Sequence, residues 1–101
     1  MSTGTTAQLR DAGNGECEVS GPLTFASCDA LWRSLESGGA LRATRRADLS
    51  GVDAADSAGL ALLLAWRAAR IEAGGDLQFD AVPQRLRLLA RLTGAEALLE
   101  D

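Results

Sequence analysis

Three carboxylates and a serine lie close together in the middle of the chain. Asp48, Asp53 and Asp56 precede Ser57 in a stretch that reads DLSGVDAADSAGL. Neighbouring carboxylates can hold a metal ion, but this stretch does not match the calcium-loop pattern with its central glycine and terminal glutamate. It also lacks the GK[ST] of a phosphate-binding loop, and the chain contains no lysine. We therefore predict no metal, no cofactor and no catalytic residue.

Ser57 stands where a long apolar segment begins, and two interpretations of it stay open. A serine at a helix start commonly caps the helix, which contributes about 1 kcal/mol, although Asp56 is able to do the same. Alternatively, its hydroxyl is exposed at the positive end of the helix. A phosphate there would gain from unpaired N–H groups but would be opposed by the carboxylates of Asp53 and Asp56. In that case Ser57 would act as a charge switch for a partner surface.

The helix predicted to start at Ser57 and end at Gly74-Gly75 has two apolar stripes, although a helix lying on one face of a sheet needs only one. The second stripe either packs under a neighbouring helix or binds a partner. Trp66 favours the partner, because tryptophan is enriched at binding hot spots, but packing under the last helix is about as well supported. Arg67 and Arg70 lie between the stripes. The first stripe contains Leu60, Leu64, Ala68 and Ile71, and the second contains Leu62, Trp66, Ala69 and Ala73.

Composition excludes several classes of function. The chain has 101 residues, 47% of them hydrophobic, which predicts one globular domain. It contains no histidine, which removes histidine-assisted catalysis and histidine-containing zinc sites. Cys17 and Cys28 have neither CxxC spacing nor a histidine partner, so we expect plain buried or incidental thiols. A net charge of −4 without a concentrated basic stripe argues against nucleic-acid binding, since the small Arg45-Arg46 and Arg85/Arg87/Arg91 groups do not outweigh it. No export signal or membrane-spanning run is present, which predicts a cytoplasmic protein.

The remaining patterns predict the element order β-β-α-β-α-β-α, with residues 1–6 frayed. A Gly-Asn-Gly turn joins two strands into a hairpin that ends at Gly21-Pro22. Thr24 caps a helix that runs to Ser37, with one apolar stripe. The third strand is interrupted at its start by Arg45-Arg46, and a polar turn follows it. The third and fourth strands precede and follow the Ser57 helix, so these two strands should be parallel to each other in a mixed sheet. Pro83 opens the last helix.

The predicted strands are 7–11, 16–20, 44–49 and 76–81, and a short tail helix is predicted over 95–99. The side chains predicted to be buried on the first helix are Phe25, Cys28, Leu31, Trp32 and Leu35. Those predicted to be buried on the last helix are Leu86, Leu89 and Leu92.

These residues resemble a known family. Asp48-Leu49-Ser50 with Val52, followed by the DSAGL at 56–60, is similar to the signature of STAS domains, the fold of anti-sigma factor antagonists. The resemblance implies an α/β fold with a mixed sheet and helices packed mainly on one face. It also implies that Ser57 occupies the position that a partner kinase phosphorylates in the regulatory members.

A narrower resemblance is to MlaB-type STAS subunits of phospholipid-transporting ABC complexes, carried by GPLTFASCDALW at 21–32 and DSAGLALLLAW at 56–66. It implies a subunit without enzymatic activity that binds and supports the ATPase subunit, in a complex with permease and lipid-binding subunits. The complex moves phospholipids between the inner and outer membranes and maintains lipid asymmetry. The protein would then be cytoplasmic and would reach the inner membrane only through that complex.

We expect the partner-binding surface to be the turn Asp56, Ser57, Ala58 and Gly59, extended by Leu62 and Trp66 and rimmed by Arg67 and Arg70. Two alternatives stay open. One is an anti-sigma factor antagonist switched by phosphorylation of Ser57; the absence of acidic residues in Gly21-Pro22-Leu23 argues against that branch. The other is a small-molecule or lipid sensor, for which no pocket motif is present.

Overall fold

The computed structural model describes residues 6–99, so the predicted frayed end at 1–6 lies almost wholly outside the described residues. The element order is the predicted one, with a four-residue helix added after the first long helix. The tail is a single 3₁₀ turn at Glu96–Leu98. The strands are β1 Gln8–Gly13, β2 Glu16–Leu23, β3 Arg46–Ala55 and β4 Gln78–Asp80; the helices are α1 Phe25–Ser37, α2 Ala40–Ala43, α3 Ser57–Glu72 and α4 Gln84–Thr93.

The four strands form one mixed sheet in the order β1-β2-β3-β4. β1 and β2 are the predicted antiparallel hairpin, and β2, β3 and β4 run parallel. Side chains alternate along the strands, because successive residues of a strand point to opposite faces. The helices cover the apolar face, whose side chains are buried, and the other face is polar. The buried apolar side chains of the four strands are those of Cys17, Val19, Leu23, Ala47, Leu49 and Phe79.

Arg45 and Arg46 do not enter the buried part of the sheet. The guanidinium of Arg45 donates to the backbone oxygen of Asn14 through Nε at 3.0 Å and Nη2 at 2.6 Å, so it binds the turn of the β1–β2 hairpin. Arg46 is the first residue of β3 and pairs with Asp80 of the neighbouring strand at 2.9 Å on the polar face. The predicted strand start at residue 44 was therefore two residues early.

The predicted ends of β2 and β3 were wrong. β2 continues through Gly21-Pro22 to Leu23, and β3 continues through Gly51 and Asp53 to Ala55, where a polar turn was expected. The pairing between them shifts register twice, and Pro22 lies at one of these shifts. Proline is tolerated at such irregularities because it has no ladder hydrogen bond to lose there. The shifts also break the alternation of apolar and polar residues, which is why the pattern resembled a turn.

The last helix buries only part of the face that was expected to be apolar and buried. Leu86 and Ala90 are buried, Leu89 is half-buried, and Leu88 and Leu92 are exposed. Pro83 is the residue before the helix, which begins at Gln84 and ends at Thr93, followed by Gly94 in a left-handed conformation. Leu92 was wrongly predicted to be buried, because the apolar positions of α4 are too many for the one stripe that faces the core.

Candidate functional site

Two long helices begin side by side where β2 and β3 end. β2 ends at Leu23 and α1 starts at Phe25, while β3 ends at Ala55 and α3 starts at Ser57. Leu23 and Ala55 are paired across the two parallel strands. The backbone oxygen of Leu23 accepts the N–H of Asp56 at 3.2 Å. The expected turn of residues 56–59 is therefore the shared tip of two helices, and we call Phe25 with residues 56–59 the helix-tip surface.

The carboxylate of Asp56 binds the starts of both helices. Its Oδ1 accepts the N–H groups of Ala58 at 2.9 Å and Gly59 at 3.1 Å, which caps α3. Its Oδ2 accepts the N–H of Phe25 at 3.0 Å, in the first turn of α1. The N–H of Phe25 is the main cause that lowers the pKa of Asp56, and the charge of Arg85 adds to it. Asp56 is thus an ionised structural cap shared between two helices.

Ser57 is the first residue of α3, and its side chain is exposed. Since Asp56 supplies the cap, the first interpretation of Ser57 is wrong. Among the residues that the structure describes, none forms a hydrogen bond with the Ser57 hydroxyl. The hydroxyl therefore has no task in the fold and lies in water at the positive end of a sixteen-residue helix.

Gly59 is buried and brings α3 against β2. A Cβ atom at this position would lie 2.2 Å from the backbone oxygen of Leu23, far inside van der Waals contact. Ala58 is half-buried beside it. Gly59 is thus a close-approach residue that cannot itself offer a side chain to a partner, whereas Ser57 can.

Phe25 is the most exposed large hydrophobic residue that the structure describes, at 83%. It was expected in the core, on one stripe with Leu31 and Leu35, both of which are buried. As the first residue of α1, it lies at the helix tip, just after β2 has ended. The inward position of that first turn is taken by Ser27, whose hydroxyl donates to the backbone oxygen of Pro22 at 2.6 Å. The Thr24 cap in the sequence could have indicated this, because it fixes Phe25 as the first helical residue.

Comparison with known proteins now gives the family. The family model described as "Mlab, STAS domain" matches residues 7–100, nearly the whole chain. The chain belongs to the STAS family. This confirms the resemblance drawn from the DSAGL motif. A search of curated proteins found no match.

Two solved structures share the fold of this STAS domain. The anti-sigma factor antagonist SpoIIAA in its unphosphorylated form matches with a TM-score of 0.68 and 16% identity, over 94% of this chain and 86% of that one. Murine solute carrier 26 family member A9, an anion transporter in its inward-facing state, matches with a TM-score of 0.56 and 19% identity, over 76% of this chain but only 14% of the transporter. At these identities the likeness establishes the fold alone.

Leu62 and Trp66 are not part of any surface of this STAS domain. The Trp66 side chain is fully buried, with its ring edge-on to Phe79 at 6.1 Å between centroids and its Nε1 3.4 Å from the backbone oxygen of Ala40. Leu62 is buried on the same stripe. Their predicted role in extending the partner contact was wrong, because this stripe of α3 faces the sheet and α2. Ile71, from the stripe expected to be buried, is instead 52% exposed.

Arg67 and Arg70 hold the other end of α3. Arg67 pairs with Asp76 at 2.9 Å, in the connection to β4. Arg70 donates to the backbone oxygens of Thr44 at 2.6 Å and Arg42 at 2.5 Å, which fixes the segment after α2. Arg67 is ten residues beyond Ser57, or about 15 Å along a helix. The structure therefore separates both arginines from the helix-tip surface.

The described part of the chain contains no group of three or more histidine, cysteine or acidic residues arranged to hold a metal ion. Both cysteines are free thiols, and burial raises the pKa of Cys17 to about 11, which keeps it in the unreactive thiol form. Burial, with a smaller effect of the Asp56 carboxylate, also raises the pKa of Cys28. No helix within residues 6–99 is long and apolar enough to span a bilayer.

Proposed function

We propose that this STAS domain is a non-catalytic subunit that binds the ATPase subunit of an ABC transporter for phospholipids, through its helix-tip surface. Phe25, exposed beside an unengaged hydroxyl, carries the proposal, together with membership of the Mlab family. Leaving a phenylalanine in water forgoes about 1.5–3 kcal/mol of burial energy. A partner that covers Phe25 recovers that energy, which makes the side chain a natural anchor.

The chemistry of the site supports binding and argues against catalysis. Among the described residues no base is hydrogen-bonded to the Ser57 hydroxyl, and the neighbouring Asp56 uses both carboxylate oxygens to accept backbone N–H groups. What the surface offers is an aromatic anchor, a hydroxyl and a helix N-terminus, a combination suited to protein recognition. We place the protein in the cytoplasm at the inner membrane, in a complex with permease and lipid-binding subunits that maintains lipid asymmetry between the two membranes.

Binding to a purified candidate ATPase, measured by calorimetric titration, tests the proposal. Phe25→Ala should weaken binding by about tenfold or more, as the truncation of a hot-spot aromatic does. Ser57→Glu should also weaken it, because it adds a second negative charge next to Asp56. Both residues are exposed, so neither change should lower the free energy of unfolding by more than about 0.5 kcal/mol.

Ile71→Ala is the matched control. Ile71 is an exposed apolar residue on the same helix, fourteen residues from Ser57, which corresponds to about 21 Å along α3. It should leave the affinity unchanged. Equal affinities for the wild type, Phe25→Ala and Ser57→Glu would show that the helix-tip surface is not the binding site.

A second candidate is an anti-sigma factor antagonist that phosphorylation of Ser57 switches. The exposed, unbonded hydroxyl favours it, since a kinase needs that access. A phosphate at Ser57 would, however, lie beside the ionised carboxylate of Asp56, which opposes it. Incubation with a cognate kinase and ATP should then add one phosphate to the wild type and none to Ser57→Ala, as read by mass spectrometry.

A further inference from the structure

Helix α4 concentrates positive charge in an acidic protein. Gln84–Thr93 contains three of the ten arginines and no acidic residue, whereas the whole chain has a net charge of −4. Arg85, Arg87 and Arg91 are all exposed. Because the Debye length is about 8 Å at physiological salt, a surface that touches α4 experiences mainly these charges, offset in part by the nearby carboxylates of Asp56 and Glu96, and little of the more distant acidic groups.

The exposed side of α4 that carries these arginines also carries two leucines. Leu88 is 46% exposed and Leu92 73% exposed, and residues four apart lie one above the other on a helix. Leu86 and Ala90 are the residues of α4 that the core buries. Leu88 and Leu92 therefore form a second apolar strip, which points away from the core. No such strip is needed to hold α4 in the fold.

The arginines border that strip on both sides. At 3.6 residues per turn, Arg85 falls on one edge of the Leu88–Leu92 strip, and Arg87 and Arg91 fall on the other. Arg87, Leu88 and Arg91 also line one shallow concavity together. The arginine contacts within the chain are modest: Arg87 Nε donates to the backbone oxygen of Val82 at 3.2 Å, and Arg91 forms an exposed pair with Glu96 at 3.4 Å. An exposed pair of this kind is worth little in water and can exchange for another anion.

We propose that this face, the α4 strip of Arg85, Arg87, Leu88, Arg91 and Leu92, binds the anionic surface of a lipid bilayer. Leucines between flanking arginines suit an interface where acyl chains meet phosphates, because the leucines insert while the guanidinium groups stay at the headgroups. A protein partner is less favoured: arginine is enriched among protein hot spots, but leucine is under-represented there and the strip has no aromatic residue to serve as an anchor. The contact would be weak alone, and attachment to any membrane complex would strengthen it by raising the effective concentration.

Co-sedimentation of the full chain with vesicles tests the proposal without any transporter subunit, so its failure would leave the proposed ATPase binding untouched. The protein should bind vesicles of equimolar phosphatidylcholine and phosphatidylglycerol, bind phosphatidylcholine alone far more weakly, and dissociate at high salt. The triple variant Arg85→Gln, Arg87→Gln, Arg91→Gln should bind about a hundredfold more weakly, at about fivefold per arginine.

Two further variants distinguish vesicle binding through the α4 strip from binding through the overall charge of the protein. Arg10→Gln, Arg33→Gln and Arg42→Gln together remove the same charge from exposed positions outside α4 and should retain most of the binding. Leu92→Ser keeps every charge and should still weaken binding, because the leucine no longer inserts. Circular dichroism confirms that each variant is folded. The proposal is overturned if the wild type does not bind the anionic vesicles, and this includes the case in which the α4 variants lose ATPase binding instead. It is also overturned if the two triple variants bind the vesicles equally well.

Discussion

Replacing Gly59 by alanine tests the packing that places the helix-tip surface. The new Cβ would lie 2.2 Å from the backbone oxygen of Leu23 and 3.0 Å from its carbonyl carbon. Real Cβ atoms essentially never come closer than 3.0 Å, so α3 must move away from β2 by about 0.8 Å. Both partners of this contact are backbone or helix atoms, and no flexible side chain is available to absorb the shift.

The expected cost follows from three contributions. Overpacking of this kind costs about 1–3 kcal/mol. The shift also stretches the hydrogen bond from Asp56 N–H to the Leu23 oxygen, worth about 1 kcal/mol. Against these stands the better helix propensity of alanine, at most about 1 kcal/mol. The net expectation is that Gly59→Ala lowers the free energy of unfolding by about 1–3 kcal/mol.

Urea denaturation followed by circular dichroism measures this loss as a lower midpoint at an unchanged slope. Ala61→Gly is the matched control, because Ala61 is exposed on the same helix and reports propensity alone, with an expected loss of about 1 kcal/mol. The sign decides the test. If Gly59→Ala is as stable as the wild type or more stable, the close approach of α3 to β2 is not a constraint and the reasoning is refuted.

Three other changes have expected outcomes. Trp66→Ala should lower the free energy of unfolding by about 3–5 kcal/mol in the same urea assay, because it removes a fully buried indole. Ala81→Gly should raise the melting temperature, since Ala81 has a φ of 56° that glycine adopts at no steric cost; a net gain of up to about 1 kcal/mol is expected. Stability should fall as the pH drops below the ordinary value of 3.8, because the folded state lowers the pKa of Asp56 and the unfolded state therefore binds the proton first. In acid titrations Asp56→Asn should show a shallower decline than the wild type; an equally steep one would assign the loss to other carboxyls.

Much of the fold was predictable because local signals agreed with the tertiary structure. The Gly-Asn-Gly turn, the position of Thr24 just before α1 and the start of α3 at Ser57 were all confirmed, although the Thr24 side chain itself makes no capping hydrogen bond. Each rests on backbone requirements that only a few residue types meet, so the sequence expresses them directly. Parallel pairing of β3 and β4 followed from the helix between them.

Burial was predicted less well, since it depends on which neighbours cover a side chain. The two stripes of α3 could not be ranked from periodicity, and only the packing of α3 against the sheet and α2 assigns Trp66 to the core. Phe25 has the spacing of a core residue, but it stands beyond the end of the sheet. In both cases helical periodicity gives the direction of a side chain around the axis and says nothing about where the covering layer stops.

Arg45, just before β3, and Arg46, its first residue, show that charge is also hard to place from the pattern of one strand. A pattern of residues along one strand cannot show that Arg46 meets Asp80, thirty-four positions later, on a neighbouring strand. Nor can it show that Arg45 reaches back to the turn at Asn14. Both contacts are long-range, and they accommodate charges at the start of a central strand, where a strand pattern alone would have rejected them.

The carboxylate of Asp56 binds the N-termini of both α1 and α3, and this leaves the next residue, Ser57, without a structural role. Since Asp56 caps α3 and also binds the first turn of α1, the side chain at position 57 can be exchanged at almost no cost in folding energy. A scaffold of this design can acquire a different recognition chemistry through one codon, while the architecture underneath is inherited unchanged. Selection for a new binding preference would act first on that position, and last on the aspartate before it.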